Sequence, residues 1–129
     1  MKFKKIAVSI AATAAIALSG ATAYAASASY SGKVPVINDY ESGSLKKTTG
    51  TTTAYNKVSK ISNGKLVSWV ELSSNGTNMT PQVGYSTTGT KTMNFYANGI
   101  TSRDNMHLNI STSPTTLSTV DTAGTWSPN

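Results

Sequence analysis

Apolar residues recur at alternate positions in short runs, and from residue 26 onward no helical stripe of ten or more residues interrupts them. In "MHLNI", Met106, Leu108 and Ile110 fall on one side of an extended chain and His107 and Asn109 on the other, because successive strand side chains point to opposite faces. The spacing predicts a half-buried strand with His107 on its solvent face. In "KTMNFYA", Met93, Phe95 and Ala97 alternate with Thr92, Asn94 and Tyr96, and Asn98-Gly99 reads as the hairpin turn that follows. "LVSWVEL" differs: Leu66, Val70 and Leu72 share one face, Val67 and Trp69 the other, so a central strand is expected over Leu66 to Leu72. Further strands are expected at Val34 to Ile37, Thr48 to Thr53, Tyr55 to Ile61, Gln82 to Ser86, Leu117 to Val120 and around Trp126. Turn chemistry separates them at Asn38-Asp39, Gly43-Ser44, Asn63-Gly64, Asn75-Gly76 and Gly89. Roughly seven to nine short strands at this spacing make an all-β, single-domain, two-layer β-sandwich or jelly roll the expected fold. Trp69 and Trp126 are its expected structural tryptophans. Trp126 plugs the core from a last strand that Pro128 stops, the alternative being an exposed Trp-Ser-Pro-Asn recognition tail.

The first 25 residues break this pattern. MKFKK is followed by the apolar run Ile6 to Leu18 and a small-residue stretch closing on Ala23-Tyr24-Ala25, the layout of a secretory signal peptide cleaved after Ala25. Retention as an N-terminal anchor is the alternative. Residues 26–129 then form one secreted domain. That segment holds eight basic and five acidic residues, so the net charge is about +3 rather than the +6 of the whole chain. It also holds 16 Ser, 18 Thr, ten Asn and nine Gly, which suits strands joined by many turns. Cysteine is absent, which excludes disulfides and thiolate metal sites and leaves the fold to rest on its core.

Catalytic signatures fail on spacing or context, and no enzyme activity or cofactor is expected. Gly84 to Gly89, "GYSTTG", is too long for a nucleophile elbow. The S-x-x-K matches at Ser44–Lys47 and Ser62–Lys65 lie in turns. His107, the only histidine, could meet a serine and Asp104 or Asp121, but hydroxyls are so abundant that such proximity carries little information. With no cysteine, one histidine does not build a usual zinc site, and no metal site is expected. Only "NDYES", Asn38 to Ser42, groups oxygen ligands in a way that suggests Ca²⁺, and a solvated turn is the simpler reading.

Charge distribution changes the picture most. Lys46, Lys47, Lys57, Lys60 and Lys65 fall between Ser42 and Val70 with no acid among them. Concentrated positive charge attracts polyanions, so teichoic acid, cell-wall glycan or an anionic lipid surface is the expected partner. The alternative is that the lysines only keep strands soluble and protect edges. Without arginines or an aromatic row in the segment, nucleic acid is not expected. Tyr30, Tyr40, Tyr55, Tyr85 and Tyr96 could stack on sugar rings, and Tyr55 sits among the lysines.

"LVSWVELSSNG", "LNISTS" and the closing "GTWSPN" resemble a group of small secreted proteins of Gram-positive bacteria that end in Gly-Ser/Thr-Trp-Ser-Pro-Asp/Asn. Some of these stand beside bacteriocin-type export genes. The resemblance implies a cell-envelope role or, alternatively, a bacteriocin-like antagonistic or signalling role toward neighbouring cells. It implies no catalytic or binding residue. The expected function is a secreted, non-enzymatic envelope-binding protein.

Overall fold

The structure, a computed structural model, describes residues 26–129; the expected signal peptide lies outside them. Among the described residues nine strands and one short helix follow in order: β1 (Ala28–Val34), β2 (Tyr40–Glu41), β3 (Leu45–Lys46), β4 (Thr53–Ile61), β5 (Leu66–Leu72), β6 (Val83–Tyr85), β7 (Gly89–Asn94), α1 (Ala97–Thr101), β8 (Asn105–Thr112) and β9 (Val120–Ser127). They form two antiparallel sheets packed face to face. One runs β1-β9-β4-β7; the other runs β2-β8-β5-β6, with β3 also paired to β8. The fold is the expected all-β sandwich, and β5 is the expected interior strand, hydrogen-bonded to β6 on one edge and β8 on the other.

The core follows from the period-two pattern. Tyr30, Val34, Ala54, Val58, Met93, Val120 and Trp126 of the first sheet meet Leu66, Val70, Tyr85, Met106, Leu108 and Ile110 of the second. Trp126 is completely buried. Burying large side chains contributes roughly 1.5–3 kcal/mol each, so the inward tryptophan anchors its sheet. Three polar side chains inside the core are linked to one another: Tyr30 Oη donates to Asn56 Oδ1 at 2.7 Å, and Asn56 Nδ2 donates to Tyr85 Oη at 3.3 Å, while Trp126 Nε1 is buried with no hydrogen-bond partner among the described residues. Burial raises the pKa of both tyrosines, so each stays neutral. Tyr30 crosses the β9 backbone at Gly124, where a Cβ would lie 2.7 Å from its hydroxyl. Only glycine admits that approach.

Trp126 to Asn129 is no free tail. Ser127 Oγ donates to the carbonyl of Ala26, and Asn129 Oδ1 accepts from the backbone N–H groups of Thr48 and Thr49 at 3.1 and 3.2 Å. Asn129 Nδ2 also donates to Thr48 Oγ1 at 2.8 Å.

Several local expectations are corrected. The strand read at Val34 to Ile37 ends at Val34, because Pro35 has no N–H for the ladder; Ile37 is 88% exposed. Thr48 to Thr53 is a loop until Thr53, and its backbone is held by Asn129 instead of a neighbouring strand. The strand read at Leu117 to Val120 starts at Val120, and Leu117 is 89% exposed. Asn98-Gly99 belongs to α1 and not to a hairpin turn; Gly99 and Ile100 N–H groups donate to the Tyr96 carbonyl. Asn63-Gly64 does turn β4 into β5, with Gly64 at φ 72°, a backbone region that glycine enters freely.

Candidate functional site

The outward side chains of the β2-β8-β5-β6 sheet form a polar cluster that the topology assembles from distant positions. Antiparallel register sets Glu71 opposite His107, Trp69 opposite Asn109, and Glu41 opposite Asn109 on the other side of β8. Directly opposed residues lie about 4.5–5.5 Å apart at Cβ and diagonal ones remain within reach of long side chains. The consequence is a compact group. His107 Nε2 lies 3.0 Å from Glu71 Oε1 and 3.9 Å from Glu41 Oε1. Ser73 Oγ lies 3.2 Å from His107 Nδ1, and Ser44 Oγ is 2.8 Å from Ser73 Oγ.

Glu71 is fixed from its other oxygen. Trp69 Nε1 donates to Glu71 Oε2 at 2.8 Å, and Asn109 Nδ2 donates to the same oxygen at 3.0 Å and to Asp39 Oδ2 at 3.2 Å. Two carboxylates on Nδ2 settle the orientation of the Asn109 amide, since a flipped oxygen would face two anionic acceptors. Its Oδ1 is then buried with no hydrogen-bond partner among the described residues. His107, Asn109 and Trp69 are buried, while Glu41 is exposed, so the cluster reaches solvent through Glu41.

Two expectations change here. Alternation puts His107 on the outward face of β8, where the structure has it, but instead of standing in solvent the residue is only 8% exposed. Neither Asp104 nor Asp121 approaches it: Asp104 accepts from Ser102, and Asp121 pairs with Lys33. The two acids that do meet it come from the "NDYES" loop and from "LVSWVEL". Neither lies near it in sequence, so only strand register could have found them.

The five lysines divide. Lys47 is completely buried, its Nζ 4.9 Å from the centre of the Phe95 ring and donating to the carbonyls of Thr49 and Ile100. Burial, then Arg103, lowers its pKa. It is withdrawn from any binding surface. Lys46 is exposed on β3 at the edge of the second sheet, and Lys65 lies exposed in the β4–β5 turn. Lys57 and Lys60 remain together on β4. Residues three apart on a regular strand face opposite ways, but the ladder shifts between Val58 and Lys60, Lys57 pairing with Thr125 and Lys60 with Ala123. That bulge turns both lysines outward. Lys33 on β1 stands on the same face, bonded to Asp121 at 2.8 Å. Around them the register lines up Ser29, Thr125, Lys57 and Thr90 in one row, and Tyr55 between Ser127 and Thr92 in another. Of the other tyrosines, Tyr30 and Tyr85 are core, Tyr40 packs on Tyr30 with ring centres 6.1 Å apart, and Tyr96 is exposed.

No protein-family model, curated protein or solved structure matches the chain. Among the described residues no helix is long and apolar enough to cross a membrane.

Proposed function

We propose that the protein is a secreted, non-enzymatic binding domain that holds an anionic polymer of the bacterial cell envelope against the outer face of the β1-β9-β4-β7 sheet. The observation that supports this most is the β4 bulge, which sets Lys57 and Lys60 on one face beside Lys33, Tyr55 and rows of serine and threonine hydroxyls. Exposed ammonium groups such as those of Lys57 and Lys60 bind repeating phosphates or carboxylates, and flanking hydroxyls donate hydrogen bonds to them. In water each exposed charge pair is worth about 1 kcal/mol at contact distance, so binding depends on many repeats engaging together and is salt-sensitive.

Co-sedimentation of the purified protein with Gram-positive cell walls, with and without their teichoic acid, across a salt series tests this reading. Binding that requires teichoic acid and falls as salt rises supports it. Absence of binding at low salt overturns it.

A further inference from the structure

We propose that Glu41, Glu71 and His107 form a binding site for a divalent transition cation, with Zn²⁺ the best match. The inference is independent of the wall-binding reading, which concerns the opposite face of the sandwich. One ligand atom from each of the three residues lies within 4.8 Å of the other two. Zinc holds nitrogen and carboxylate oxygen at about 2.0–2.2 Å in tetrahedral geometry, which puts ligand atoms about 3.4 Å from one another. The observed separations from His107 Nε2, 3.0 Å to Glu71 Oε1 and 3.9 Å to Glu41 Oε1, bracket that value. A small movement of the exposed Glu41 carboxylate completes the triangle.

The surrounding hydrogen bonds are those a metal site requires. A ligating imidazole donates its other ring N–H to a fixed acceptor, and a ligating carboxylate is itself held by donors. Ser73 Oγ stands 3.2 Å from His107 Nδ1, where it can accept from Nδ1–H once a cation replaces the proton that Nε2 otherwise shares with Glu71 Oε1. Trp69 and Asn109 occupy Glu71 Oε2 and leave Oε1 toward His107. The same Asn109 amide that holds Glu71 through Nδ2 also holds Asp39 Oδ2 at 3.2 Å, so the loop before β2 is tied to the ligand set as well. The imidazole nitrogen argues for zinc over calcium, which prefers six to eight oxygens. Because Glu41 belongs to β2 and the other two ligands to β8 and β5, a bound cation would tie the edge strand to the middle of the sheet.

The test is isothermal titration of chelator-treated protein with Zn²⁺, and separately with Ca²⁺ and Mg²⁺, together with ¹⁵N NMR of the His107 ring. One Zn²⁺ per chain is expected, with a shift confined to Nε2 and with Ca²⁺ and Mg²⁺ failing to compete. Glu41→Gln, at an exposed edge where folding is not at stake, should weaken zinc at least tenfold. Ser73→Ala should weaken it about tenfold by freeing the ring. No zinc binding, binding unchanged in Glu41→Gln, or preference for Ca²⁺ would overturn the proposal; in the first case the cluster is a structural ion pair only.

Discussion

The two outer faces of the sandwich are built by the same rule and end differently. On the β1-β9-β4-β7 sheet the outward positions include Ser and Thr hydroxyls, Tyr55, the Lys33–Asp121 pair, Lys57 and Lys60, and the lysines stand in water. On the β2-β8-β5-β6 sheet the outward positions are Trp69, Glu71, His107 and Asn109, and three of these four are buried and tied into one network. Alternation decides which way a side chain points; it does not decide whether water is there. The first face offers replaceable charges for a partner to meet. The second has its charges committed to one another, so each loss there strands a neighbour.

The largest disruption removes the platform that both faces share. Trp126→Ala deletes a fully buried indole and should cost about 3–5 kcal/mol, enough to unfold much of the population in thermal denaturation; an unchanged melting temperature would show that the indole is not a core element. Gly124→Val should be comparably damaging, because its side chain would enter the Tyr30 ring and the β4 backbone.

Next comes the acidic face. Glu71→Ala leaves Trp69 Nε1 and Asn109 Nδ2 short of an acceptor, and stranded buried donors cost about 1–3 kcal/mol, measurable by urea denaturation. On the lysine face, Lys57→Ala and Lys60→Ala should move stability by no more than about 0.5 kcal/mol. A stability loss there as large as that of Glu71→Ala would erase the contrast between the faces.

The smallest effect sharpens the contrast at its edge. The hydrogen bond from Lys33 holds the Asp121 carboxyl below its ordinary pKa. A carboxylate depressed in the folded state stabilises the fold above its unfolded pKa, roughly 4, and loses that contribution as pH falls through the folded value. Lys33→Met should therefore change stability slightly at neutral pH and not at all in strong acid. Denaturation of the two proteins at both pH values checks this.

Much of the sandwich was legible in the chain. Alternation in "MHLNI" and "LVSWVEL" set out the two central strands and their inward residues, because an apolar period of two has no other use in an extended chain. The misreadings have local physical causes. "VPVI" looked like a strand by hydrophobicity, but Pro35 ends the ladder and leaves Val36 and Ile37 in water. Lys57 and Lys60 share a face only through a bulge, and Val58-Ser59-Lys60 carries no glycine or proline to mark one. Lys47 looked like its neighbour Lys46, yet the chain leaving β3 turns it inward against Phe95. The Glu41, Glu71 and His107 cluster depends on pairing between strands far apart in sequence, which periodicity within one strand cannot reveal.

The central claim is that the lysines of the β4 bulge, and not the other lysines, meet the envelope polymer. It is tested most directly by comparing wall co-sedimentation of Lys57→Glu/Lys60→Glu with that of Lys46→Glu/Lys65→Glu at low salt. Both pairs change the net charge equally. The account predicts that binding is lost in the first pair and largely kept in the second. Equal loss in both would mean that net charge alone governs binding, and undiminished binding in the first pair would contradict the assignment of that face.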